Sequence, residues 1–321
     1  MSKTPQLGKE LYMQTASLGK RKNLFKGLKQ TKFLQLMVLP GLIYYIIFQY
    51  VPMYGVIIAF KNYSIRKGIM GSPWVGLDNF MSFFQHPFFE RLLANTVLLN
   101  VYNLLWSFPI PILFALMLNE LRSYRYKKIV QTVSYLPHFL STVSIVGILF
   151  LILSPETGFV NKVINVFGGE SIYFMAEVKW FRTIFIGSNI WQNFGWDAII
   201  YLAALTSVSP ELYEAARIDG ASRLRQIWHI TLPAIKGTVT IMLILRLGQM
   251  MSGGADKALL MQTPVTYEVS DVISTYVYRR GLVSAEYSLG TAIDFFNSVI
   301  NISLLLIANK ISKKLTDSGL F

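Results

Sequence analysis

Cysteine is absent from the chain, which excludes disulfide bridges, thiolate metal clusters and thiol nucleophiles. Histidine is nearly absent: His86, His138 and His229 stand far apart, too scattered for a metal centre. Charge is scarce too. Only 15% of the residues are charged, against about 25% in ordinary soluble domains. No G-x-x-x-x-G-K-[ST] stretch occurs, so the chain does not bind ATP through a P-loop. Internal repeats and low-complexity segments are lacking as well. What is abundant is apolar: 53% of the 321 residues are hydrophobic, and the charges are bunched between long uncharged runs. The net charge of +13 does not point to nucleic acid, because the Lys and Arg residues flank the apolar runs.

A helix crossing the ~30 Å hydrocarbon core needs about 20 mostly apolar residues at ~1.5 Å rise each. Residues 33–60, 92–119 and 129–155 carry no Asp, Glu, Lys or Arg. Residues 183–210, 237–255 and 287–309 carry one each, Asp197, Arg246 and Asp294. The sequence therefore predicts an all-α integral membrane protein with six transmembrane helices. The first run exceeds a span and is expected to leave the membrane near Val51-Pro52. Pro109 and Pro111 are expected to kink the second, and Pro137 to set an interfacial turn apart from the third.

Of the 30 basic residues, 19 lie in the N-terminal tail, 120–128, 211–236 and the C-terminal tail, and ten lie in the alternate loops. The richer set faces the cytoplasm by the positive-inside rule, so both termini of this multi-pass membrane protein are expected inside the cell. The domain reading is a basic cytoplasmic tail over 1–32, a six-helix membrane domain over 33–310 and a second cytoplasmic tail over 311–321. The first tail is too long for a signal peptide's n-region. It reads as a charged tail in contact with membrane lipid, or as an amphipathic helix using Leu24, Phe25 and Leu28.

Within the cytoplasmic loop 209–236, Ser209 suits an N-cap, Pro210 the first helical position and Glu211 the helix dipole. Asp219-Gly220 signals a turn, and a second amphipathic stretch runs from Ala221 to Ile230. The expected product is a helix-turn-helix tied at both ends to spans. Ala215 and Ala216 permit close approach of another surface, and Glu214 offers it a charge.

The order Glu214-Ala215-Ala216, Asp219-Gly220-Ala221, Ile230-x-Leu232-Pro233 resembles the EAA loop of ABC importer permeases. The resemblance implies the type I importer permease architecture, with Glu214, Ala215, Ala216, Asp219, Gly220, Leu232 and Pro233 in the segment that couples to an ATPase. It implies no cofactor on this chain and ATP with Mg on the partner ATPase. The implied partners are two ATPase subunits, a second permease subunit in a heterodimer, and an extracytoplasmic solute-binding protein. Trp74-Val75-Gly76-Leu77-Asp78-Asn79-Phe80 resembles a segment of carbohydrate-importer permeases, although an aromatic belt would look similar. Tyr50 to Gly55 and Val269 to Arg279 resemble the subgroup that imports pectin- or alginate-type oligosaccharides. Gly237 stands where the broad family has a proline.

Charges inside the membrane are costly and usually face a cavity or a partner. Counting rise from the cytoplasmic ends places Asp197, Arg246 and Asp294 about 18, 14 and 22 Å deep, so Asp197 and Arg246 are a candidate ion pair. Asn189, Gln192, Asn193 and Trp196 share one helical face, and Asp294, Asn297 and Asn301 share another. Amides beside tryptophan suit a sugar path and equally suit interhelical hydrogen bonds. The segment 269–280 is amphipathic, fit to pack over helix ends or to meet the binding protein. The reading is an oligosaccharide permease with no covalent chemistry of its own. A permease for peptides or amino acids, or an ion-driven secondary transporter, is the alternative.

Overall fold

The computed structural model describes residues 32–251 and 253–316. Most of the basic N-terminal tail and the last five residues lie outside that range. The chain divides at Ile57 into two units.

The first unit is a helical rod. Helix α1 (Lys32–Tyr45) continues as a π-helix (Ile46–Tyr50) and a short α-turn (Val51–Met53), and a 3₁₀ segment begins at Tyr54. Every side chain from Lys32 to Tyr54 is exposed within the chain, and nearly all are apolar, as lipid requires. The helix type changes around Pro52. Proline has no N–H to continue the ladder, and the widened π-turn before it absorbs the defect.

The second unit is built around one long helix. Its elements are α2 (Asp78–Phe84), α3 (Phe89–Ser107), α4 (Pro109–Asn119), α5 (Tyr124–Tyr135), α6 (Thr142–Ile152), α7 (Phe159–Val166) and α8 (Val178–Thr206). They are followed by α9 (Pro210–Ile218), α10 (Arg223–Gln226), α11 (Leu232–Gly248), α12 (Ala255–Met261), α13 (Ile273–Val277) and α14 (Tyr287–Thr316). Helix α8 is the hub and packs on α3, α4, α5 and α11, while α11 lies along α14. At one end of α8, Phe181, Phe185 and Ile186 join Leu99, Val146 and Met261 in an apolar cluster. At the other end Ala198, Tyr201, Leu202 and Leu205 meet Ala115, Leu118 and Ile235. A third cluster, with Phe83, Leu92, Ile273 and Ile293, joins α2, α3, α13 and α14.

Among the described residues, four helices are long and apolar enough to cross a membrane: 32–60, 89–119, 223–248 and 287–314. A fifth crossing is made if the bent pair 124–139 and 142–152 counts as one. The run 129–155 is thus broken by a 100° bend next to the turn expected at Pro137. A 3₁₀ turn forms around Pro137, Leu140 and Ser141 are extended, and the Ser141 hydroxyl caps α6 by accepting from Ser144 N–H. The run 183–210 falls largely inside α8. That helix is long enough at 29 residues but carries Lys179, Arg182, Asp197 and several amides. At Pro109 the regular helix is interrupted at Phe108, which keeps helical φ and ψ, so α3 and α4 follow one another in a single 31-residue candidate span.

The tryptophan-bearing segment 74–80 ties a hairpin. Val75 N–H donates to Phe60 C=O, Asn79 donates to the carbonyls of Ala59 and Lys61, and Trp74 stacks on Phe60. Segment 269–280 packs inward through Val272, Ile273 and Tyr276, all at most 5% exposed. Thr96 Oγ1 accepts from Ile273 N–H, and Asn95 donates to the carbonyls of Glu268 and Asp271. Asp271, itself buried, holds Arg279 at 2.6 Å. Burial works against the Arg279 charge, but the Asp271 carboxylate outweighs it and raises the guanidinium pKa.

Candidate functional site: a docking hairpin and a polar helix face

The 209–233 segment folds as a short helix pair. Ser209 occupies the N-cap position of α9, though its side chain makes no capping bond, and Pro210 opens the helix. At the C-terminus Gly220 has φ +73°, a left-handed value that a Cβ would strain. Ala221 N–H then closes on Ala216 C=O at 2.8 Å. Ser222 caps α10, which passes into a π-helix (Ile227–Thr231) just ahead of Pro233, as happens ahead of Pro52.

Three contacts make the hairpin stiff. The Tyr213 hydroxyl meets Thr231 Oγ1 at 3.0 Å, Gln226 Nε2 donates to Ala221 C=O, and Arg223 reaches Glu120 at 3.1 Å on the α4–α5 turn. Between the hairpin and that turn lies a groove of about 820 Å³, to which Tyr213, Glu214 and Arg217 contribute. Glu214, Ala215 and Asp219 are exposed and Ala216 is half-buried. Ile218, Leu224 and Trp228 are also exposed, at 87%, 70% and 67%. The hairpin thus presents small and apolar side chains together with the carboxylates of Glu214 and Asp219, a surface fit to receive a partner. Leu232 and Pro233 begin α11, so the hairpin runs directly into a span.

The polar face of α8 is satisfied by neighbouring helices. Arg246 on α11 donates to Asp197, so the pair expected from depth is formed. Asn189 Nδ2 donates to Asn103 Oδ1 on α3 at 3.1 Å. Gln192 Nε2 donates to Leu140 C=O, at the bend between α5 and α6. Asn193 Oδ1 lies 3.0 Å from His138 Nδ1, and Trp196 stacks on the His138 ring with centroids 4.5 Å apart. Close approach makes this possible. A Cβ at Gly195 would sit 2.2 Å from Ser134 C=O, so α5 and α8 meet at a position where no side chain fits.

The residues grouped on α14 are not brought to this face. Asn301 Oδ1 accepts from Met251 N–H, Asn297 is buried, and Asp294 is exposed with no ion pair among the described residues. Five participants escaped the sequence reading. His138 and Lys257 gave no local signal, because the bend and the loop after α11 bring them in. Asn100, Asn103 and Ser107 lie on one face by their i, i+3, i+7 spacing, a signal hidden in a run read only for its missing charge. These three line a cavity of about 80 Å³ with Arg246 and Gln249.

A braced hairpin feeding a span, beside a helix whose polar face is hydrogen-bonded to its neighbours, fits a membrane transport subunit. Residues 90–317 match the model of the binding-protein-dependent transport system inner membrane component, and the chain belongs to that family. It is a multi-pass permease subunit of an ABC importer, not an enzyme. Among its relatives is the polygalacturonan/rhamnogalacturonan transport system permease protein YteP of Bacillus subtilis, 46% identical over 94% of each chain. The protein LplB of the same organism is 45% identical over 94% of this chain and 95% of its own. The crystal structure of a bacterial alginate ABC transporter, in complex with an alginate pentasaccharide-bound periplasmic protein, contains a chain of the same shape. The TM-score is 0.85 at 44% identity, covering 93% of this chain and all of that one.

Proposed function

We propose that this chain is one half of a heterodimeric permease that imports oligosaccharides derived from acidic polysaccharides. The observation that carries the reading is the braced hairpin 209–233, which presents Glu214, Ala215 and Ala216 outward and runs without a break into α11. Its two termini and the hairpin lie in the cytoplasm. There the hairpin seats in one of two ATPase subunits, which bind ATP and Mg. Closure of those subunits drives the hairpins together, and α11 carries the motion to α8 and α14, opening the path outward. A solute-binding protein outside the membrane then delivers the sugar.

The path runs along α8. Its amides and the adjoining Asn103 suit sugar hydroxyls, and Trp196 suits a pyranose face. The break at Leu140 and Ser141 supports this placement, since non-helical backbone at membrane depth is tolerated where protein buries it or water reaches it. Asp294, exposed on a membrane-spanning helix, fits a face covered by the second permease subunit rather than lipid.

The test is reconstitution with partner permease, ATPase and binding protein in proteoliposomes. Loaded binding protein should stimulate ATP hydrolysis, and Ala216→Leu should abolish uptake while leaving the isolated ATPase unaffected. Uptake that follows an ion gradient and ignores ATP would overturn the reading.

A further inference from the structure

We propose that Lys257 is the charge-selecting residue of the translocation path, supplying the positive charge that favours carboxylate-bearing sugars; this rests on reading the chain as an oligosaccharide permease. Lys257 is 4% exposed, on the short helix α12. Its ammonium donates to Gln192 Oε1 at 2.9 Å and to Asn189 Oδ1 at 3.1 Å. These are the two amides that head the polar face of α8.

What the ammonium lacks is a counter-ion. No ion pair among the described residues includes it. Of the helices packed against α12, α6 and α13 carry no charged residue, only the buried Tyr276 on α13 being titratable. Helix α8 brings Lys179 and Arg182, of the same sign, and Asp197, which Arg246 already holds. A buried charge kept for structure alone is normally paired. This one is solvated by neutral dipoles, and an ammonium has three N–H donors of which two are used.

Its surroundings connect it to the cavity. Asn103 Oδ1, in the wall, accepts from Ser107 Oγ at 2.7 Å and from Asn189, whose own oxygen holds Lys257. The cation that does line the cavity, Arg246, is neutralised by Asp197. The polar layer therefore carries one net positive charge, that of Lys257. In a site shielded from water such a charge acts over many ångströms, so it discriminates acidic from neutral sugars without touching every carboxylate.

The experiment uses the complete transporter in proteoliposomes with saturating binding protein. Uptake of a galacturonate trisaccharide is compared with uptake of its carboxyl-reduced, neutral counterpart. Lys257→Gln should lower acidic uptake at least tenfold relative to neutral uptake, and Lys257→Arg should keep the native ratio. Asn189→Asp places a carboxylate beside the ammonium and neutralises it without removing it; the same loss of the acidic preference is expected. This arm decides the matter if Lys257→Gln does not assemble. Equal losses for both sugars in Lys257→Gln and in Asn189→Asp, or an unchanged ratio, would overturn the proposal. If the native transporter moves neither sugar, the oligosaccharide reading itself fails and the proposal falls with it.

Discussion

Individual side chains show how a lipid-embedded protein treats polarity. Arg246 and Asp197 are partly shielded, with side chains 35% and 19% exposed in the isolated chain. Breaking the pair should cost about 2 kcal/mol, between the ~0.5 of an exposed pair and the ~3–5 of a fully buried one. Single reversals, Asp197→Arg or Arg246→Asp, should lower the thermal midpoint of the purified complex and its transport. The double reversal should recover most of both, and no recovery would show that the pair is not the source of the loss. Gly195 is a sharper case. Alanine there drives a methyl into the Ser134 carbonyl and should destabilise by about 1–3 kcal/mol, measured by detergent-solubilised unfolding. The Asp197–Arg246 pair was legible from depth along two helices. The stack of His138 on Trp196 was not, because only the bend after Phe139 delivers the imidazole, and a bend angle is not written in hydrophobic periodicity.

At the scale of elements, the proposed coupling rests on the hairpin. The hairpin 209–233 was legible in outline because its signals are local: Pro210 opens a helix, Asp219-Gly220 ends it and Pro233 restarts one. Its stiffness was not legible, since Tyr213 finds Thr231 eighteen residues on and Arg223 finds Glu120 across the fold. Tyr213→Phe removes one hydroxyl contact worth about 1 kcal/mol. Assembly should survive, and the number of ATP molecules hydrolysed per sugar imported should rise. An unchanged ratio would mean the strut does not transmit force. The bent pair α5–α6 teaches a complementary lesson. By hydropathy alone a run of 27 uncharged residues looks like one span, yet Pro137 and the cap at Ser141 split it, because local backbone chemistry overrides hydropathy where a neighbour can donate to the freed carbonyl, as Gln192 does to Leu140.

At the scale of the whole molecule, the absence of cysteine becomes an experimental asset. Single cysteines placed at Ser2 and Ser318 enter a background with no competing thiol. On the proposed orientation, a membrane-impermeant maleimide should label them in inverted vesicles and leave them unlabelled in intact spheroplasts. Labelling of either from outside would overturn the orientation. Helix content and the order of apolar runs could be read from the sequence because lipid imposes them on every span. The assignment of polar residues to a common site depended on which helices become neighbours, and that is set by packing around α8.

Helix α8 has a further consequence, for how the protein is made. The hub of the unit is also too polar to rank among its membrane-crossing helices. During synthesis it leaves the ribosome before α11 and α12, and so before Arg246 and Lys257 exist to meet its carboxylate and amides. A lone α8 should therefore partition poorly from the translocon into lipid and wait beside the earlier segments until its C-terminal partners emerge. Fused alone to a reporter with flanking glycosylation sites, it should insert inefficiently. Efficiency should rise when residues 237–261 follow it, and fall again when Arg246 is replaced by leucine.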